Sequence, residues 1–160
     1  MKKTFLAGLA LGISALSLAA CGDTGTEEVA EAPEGIPGMA VENARMVLAP
    51  VAGNPAAVYF DLKYDGEQNV ALRAADVAGA GSTMMHDYGE WDGKVQMMEM
   101  LPLVIQPGET VKFEPGSRHV MAMDVSPELQ PGGETEVTLM VAGGDKFSFP
   151  AEIRAAGEDR

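Results

Sequence analysis

Leu103 to Val125 reads LVIQPGETVKFEPGSRHVMAMDV. Two Pro-Gly pairs, Pro107-Gly108 and Pro115-Gly116, cut this stretch into three short apolar runs. Proline presets the backbone angle of the first corner of a tight turn, and glycine accepts the left-handed conformation that follows it. Between the pairs, Thr110 to Glu114 alternates polar and apolar side chains, which is the period of a strand with one buried face. The spacing predicts strands over Leu103–Gln106, Thr110–Glu114 and Ser117–Val125.

The same punctuation continues outward. Upstream, Thr83–Tyr88 and Lys94–Leu101 flank Asp92-Gly93, a dipeptide that favours tight hairpins. Val70–Val77 is a further strand, although its alanines also suit a helix. Ala57–Tyr64 (AVYFDLKY) is rich in β-branched and aromatic residues and ends at the turn Asp65–Asn69. Ala44–Leu48 precedes a Pro- and Gly-containing loop. Downstream, Pro127–Gly133 is a loop, Thr135–Val141 a strand, and Phe147–Ile153 a last strand whose Pro150 points to a sheet edge. Short strands at intervals of roughly ten residues with turns between them predict an all-β sandwich or barrel. No long helical period, internal repeat or second domain is visible.

The chain has 160 residues, 46% of them hydrophobic, enough to pack one core. Its net charge is −13 and it carries no basic block, which argues against nucleic acid as a partner. The N-terminus reads as an address rather than as fold. Met1-Lys2-Lys3 is a short basic segment, and the apolar run Thr4–Leu18 is too short to span a bilayer. Leu18-Ala19-Ala20-Cys21 follows, and it resembles a bacterial lipobox, in which the cysteine is lipidated. The expected division is a lipoprotein signal peptide over 1–20, the lipidated Cys21 with an acidic, disordered tether over 21–40, and one folded domain over 41–160. That division places the protein in the periplasm, anchored to a bacterial membrane through its lipid. Cys21 is the chain's only cysteine, so no internal disulfide forms and the domain has no thiolate for a metal.

Both histidines of the chain lie among methionines. Met84-Met85-His86 comes first, then Met97-Met98-Glu99-Met100, then His119-Val120-Met121-Ala122-Met123. Thioether sulfur is a soft ligand and imidazole nitrogen a borderline one, so together, without thiolate, they favour Cu(I). In a strand, residues i and i+2 share a face, so His119 and Met121 point the same way, as do Met84 and His86. The Asp92-Gly93 turn folds the first two segments together, and cross-strand neighbours about 5 Å apart can reach one ion. Strand alternation also puts Met97 and Met100 on opposite faces.

The spacing of these residues resembles the signature of the periplasmic copper chaperone family known as PCuAC. His86 is followed by ten residues and Met97, then by twenty-one residues and His119-Val120-Met121. Pro107-Gly108-Glu109-Thr110-Val111 and Glu114–Met121 also look like that family, and the likeness spans about 42–152. The family's flanking residues match Met98-Glu99-Met100-Leu101-Pro102 instead, without the usual arginine. Spacing therefore selects Met97 as the middle ligand, flanks select Met100, and Met98 lies between. The resemblance implies a cupredoxin-like, Greek-key β-sandwich with a Cu(I) site near its surface. The metal ligands it implies are His86, Met97 or Met100, His119 and Met121. It further implies delivery of Cu(I) to a copper-accepting protein, such as an oxidase subunit or another copper chaperone.

Other function classes have less behind them. No nucleophile elbow, HExxH motif or phosphate loop is present, and no histidine is left over for general-base chemistry, so an enzyme is not expected. The alternatives are passive copper sequestration by the same ligands, and a lipid-tethered interaction module whose methionines only fill a core.

Overall fold

The computed structural model describes residues 35–158. The expected signal segment, Cys21 and the tether up to residue 34 lie outside these residues.

Ten strands follow one another: β1 (Met39–Val47), β2 (Ala56–Tyr64), β3 (Val70–Val77), β4 (Ser82–Trp91), β5 (Lys94–Glu99), β6 (Leu103–Ile105), β7 (Glu109–Phe113), β8 (His119–Met123), β9 (Glu134–Val141) and β10 (Lys146–Arg154). No α-helix occurs among the described residues. The strands hydrogen-bond in the order β5-β4-β8-β2-β1-β10-β9-β3-β6, with β7 also on β2. All pairs are antiparallel except β1 with β10. The first and last strands thus close the domain side by side. The Thr83 hydroxyl on β4 donates to the Ala75 carbonyl on β3. These two strands stand near opposite ends of the order, so the sheet curls back on itself around a core.

β2 shows how the sequence builds this wall. Its side chains alternate strictly, with Ala56, Val58, Phe60, Leu62 and Tyr64 all buried. One edge pairs with β1. The other edge is shared: β8 takes Ala56–Val58, and β7 takes Phe60–Tyr64. β7 and β8 therefore sit end to end along β2 rather than forming a hairpin, although only Pro115-Gly116 and its neighbours separate them. In the core, the Phe60 ring stacks on Phe113 with centroids 4.3 Å apart and meets Phe149 edge-on at 5.2 Å. Both geometries suit the quadrupoles of aromatic rings.

Beyond shifts at strand ends, three departures from the sequence reading have a local physical cause. β1 starts at Met39, ahead of the strand expected from Ala44. A bulge interrupts its pairing with β2 between Glu42 and Arg45, and Asn43 there has φ of 56°. Asn43 tolerates that conformation and is held by a 2.8 Å hydrogen bond to Asp61. The bulge breaks the alternation that would have revealed the strand's first half. Ile36 and Met39 are buried, and the Gly38 carbonyl accepts from Asp65 N–H at 2.7 Å. A Cβ at Gly38 would strike the backbone of Asp65 and Gly66, and its φ of 80° suits glycine alone.

β10 is internal rather than an edge strand, flanked by β1 and β9. Its ladder with β1 begins only at Glu152, so at Pro150 β9 is the sole neighbour. The proline is tolerated where one side of the strand lacks a partner. Finally, β8 ends at Met123, before the expected Val125, because Asp124 turns the chain with φ of 52°.

Candidate metal centre

The strands β4 and β8 pair antiparallel, and their register sets His86 directly opposite His119 and Met84 directly opposite Met121. On the other side of β4, β5 sets Met97 opposite Tyr88 and Glu99 opposite His86. The β4–β5 hairpin turns on Asp92 and Gly93, both with positive φ (52° and 69°), as a two-residue turn matched to strand twist requires. Residues opposite one another share a face. One face of this three-stranded region therefore carries Met84, His86 and Tyr88 from β4, Met97 and Glu99 from β5, and His119 and Met121 from β8.

The two imidazoles meet at the centre of that face. Their ring centroids are 5.7 Å apart. His119 is buried at 6% exposure, and its Nδ1–H donates to the Ser117 carbonyl at 2.9 Å. That bond fixes the tautomer, so the neutral ring presents a lone pair at Nε2. The Met97 sulfur lies 3.1 Å from this Nε2. With the proton on Nδ1, two electron-pair donors face one another there, an arrangement suited to a cation. His86 Nδ1 is buried and has no hydrogen-bond partner among the described residues. Burial first, then the nearby His119, lowers the pKa of His86 from its ordinary 6.5, and Glu99 opposes this in part. The shift favours the neutral ring, the form that can act as a ligand.

Met121 is half-buried, two residues along β8 from His119 and on its face. Met97 is 42% exposed, so the centre opens to solvent on the β5 side. Met98 and Met100 point the other way. Met98 stands opposite Asp87 on the reverse face. Met100 packs against the core, and its N–H donates to the Met85 carbonyl at 2.8 Å. The register thus sets His86, His119, Met97 and Met121 on one face, and Met98 and Met100 on the other.

Aromatic rings surround the pair. Tyr88 and Tyr59 lie 6.0 Å and 6.4 Å from His119, centroid to centroid, and the Arg45 guanidinium sits 5.1 Å over the Tyr59 ring. Beside the histidines, Arg118 and Asp87 form an ion pair at 3.0 Å, off-line for a hydrogen bond, that ties β8 to β4 at the next position. Sequence reading missed Tyr88 and Tyr59, and it put Met84 on the face of His86 without counting it among the ligands. Tyr88 stands two residues from His86, as Met84 does on the other side, and the same alternation could have flagged it. Tyr59 comes from a strand paired to β8 only in the folded domain, and nothing local announces it.

The donor set fits a soft, monovalent ion. Among the described residues no group of three or more His, Cys, Asp or Glu side chains gathers at one place. Hard cations such as calcium or magnesium, which call for oxygen ligands, have no cage here. Two imidazole nitrogens and two thioethers match the preferences of Cu(I).

No curated protein matches the chain. Among solved structures, a copper-bound PCuAC domain from PmoF2 superposes with a TM-score of 0.60 at 18% identity, covering 76% of this chain and 96% of that one. An apo PCuAC domain from PmoF1 gives 0.63 at 22% identity, covering 76% and 97%. The Cu(I) form of DR1885 from Deinococcus radiodurans gives 0.58 at 22% identity, covering 85% and 89%. The likeness identifies the fold as the β-sandwich of PCuAC domains. The family model named LpqE-like matches residues 39–153, nearly all of the described domain. With that match, the chain belongs to the LpqE-like family, and its domain has the fold of PCuAC domains.

Proposed function

We propose that the protein is a copper chaperone that holds Cu(I) outside the cytoplasm and passes it to a copper-accepting protein. His86, Met97, His119 and Met121 are the proposed ligands. The observation that carries this reading is the direct opposition of His86 and His119, with the Met97 sulfur 3.1 Å from His119 Nε2. The copper-bound PmoF2 domain and the Cu(I) form of DR1885 have the same fold and support the choice of metal.

Neutral imidazoles and thioethers leave the charge of Cu(I) uncompensated, which favours release over permanent storage. Met97 and the other exposed methionines of the hairpin let a recipient approach and replace the ligands one at a time. Copper centres of a cytochrome oxidase are the proposed destination. A lipid on Cys21 would hold the protein at a membrane face, within reach of such a partner. No catalytic role is proposed, since both histidines are engaged by the metal.

Transfer kinetics test this reading. The Cu(I)-loaded protein should metallate an oxidase copper-site domain faster than free Cu(I) does when a chelator competes. Metallation no faster than from the chelator alone would mark the protein as a sequestering agent. A protein that retains no Cu(I) would be an interaction module with a methionine-rich core.

A further inference from the structure

The β4–β8 ladder carries a symmetry that the four-ligand reading does not use. β4 presents Met84-x-His86 and β8 presents His119-x-Met121, running in opposite directions. The register therefore sets histidine against histidine and methionine against methionine. Met84 stands to the histidine pair as Met121 does: same face, next position along the strand, directly across from its counterpart. Opposite side chains on adjacent strands have Cβ atoms about 5 Å apart, so two flexible thioether arms at one position can reach one ion. The two differ in access. Met84 is 37% exposed and borders an open cleft with Arg73, Thr83, Glu99 and Met100, whereas Met121 is half-buried.

We propose that Met84 is a further thioether ligand of the same centre, exchangeable with Met121. The inference rests on the copper reading above. The exchange is simple in its balance. The bond from copper to the Met84 sulfur forms as the bond to the Met121 sulfur breaks. The ion stays Cu(I), and no proton or electron moves. A site with one thioether to spare can begin to open without leaving the ion under-coordinated. A recipient's ligand then needs to displace only one thioether at a time.

Four forms of the protein test the proposal: the parent, Met84→Leu, Met121→Leu and the double variant. Leucine keeps the apolar volume and removes the sulfur. Cu(I) affinity is read by chelator competition. In the parent, the methionine methyl resonances are followed as one equivalent of Cu(I) is added. The Met84 methyl should shift with copper. Each single variant should lose less than roughly tenfold in affinity, and the double variant more than the product of the two, as expected when one donor substitutes for the other. A Met84 methyl that does not respond, with Met84→Leu neutral in both the parent and the Met121→Leu background, would overturn the inference. If the parent binds Cu(I) normally in that experiment, the chaperone reading stands without it. If the parent binds none, both fall together.

Discussion

His119→Ala is expected to leave a folded domain that no longer holds Cu(I). His119 stands at the centre of the candidate site. Its Nε2 faces the Met97 sulfur, its ring faces His86, and its Nδ1–H is tied to the Ser117 carbonyl. Removing even an outer partner of a metal ligand costs about 10–100-fold in affinity, and removing a ligand that no other donor can replace should cost at least as much. The predicted loss is therefore roughly 100-fold or more. The structural cost is smaller. The variant loses one hydrogen bond and the packing of one ring beside Tyr59 and Tyr88, about 1–3 kcal/mol in all. The β8 backbone still pairs with β2 and β4 on either side. Chelator competition with Cu(I), run beside circular dichroism and thermal unfolding, separates the two effects. An alanine variant with the parent's affinity would remove His119 from the ligand set.

Phe60→Ala is expected to do the reverse, weakening the fold without touching a ligand. Phe60 has no exposed surface and is clasped between Phe113 on β7 and Phe149 on β10. It joins three strands that are far apart in the chain. Truncating a fully buried phenylalanine typically costs 3–5 kcal/mol, against a total stability of about 5–15 kcal/mol for a domain. Its neighbour Tyr59 points to the opposite face, towards His119. The loss should appear as a lower urea midpoint with little change in slope. Molecules that remain folded should keep their Cu(I) affinity. A loss below about 1 kcal/mol would mean that the three rings do not form the centre of the core.

Much of the fold could be read in advance because its strands are short and sharply punctuated. Val70–Val77 was bounded correctly at both ends, and β2 to within one residue at Ala56. In both, apolar alternation stops at Gly, Asn or Asp. Local pattern failed where the backbone departs from the period of two. The bulge at Asn43 hid half of β1, and the turn at Asp124 cut β8 short. Pairing between distant strands was not legible at all. Nothing in Ser117–Val125 says that β8 lies between β2 and β4, yet that placement brings His119 opposite His86.

The faces of Met97 and Met100 were nearer to hand. A two-residue turn at Asp92-Gly93 forces Trp91 opposite Lys94, and counting back puts Met97 opposite Tyr88. Met97 then shares a face with His86, and Met100 does not. The competing match of the flanks around Met100 masked this, because an insertion in the hairpin would have shifted the count. The hairpin has no such insertion, and its ladder runs unbroken from Trp91–Lys94 to His86–Glu99.

The most direct test uses that difference of faces. Cu(I) is titrated against a competing chelator into Met97→Leu and into Met100→Leu, two variants of the same chemistry three residues apart. The predicted result is a loss of about tenfold or more for Met97→Leu, with Met100→Leu indistinguishable from the parent. Loss at Met100→Leu with Met97→Leu unaffected would place the ion on the wrong side of the sheet and contradict the account.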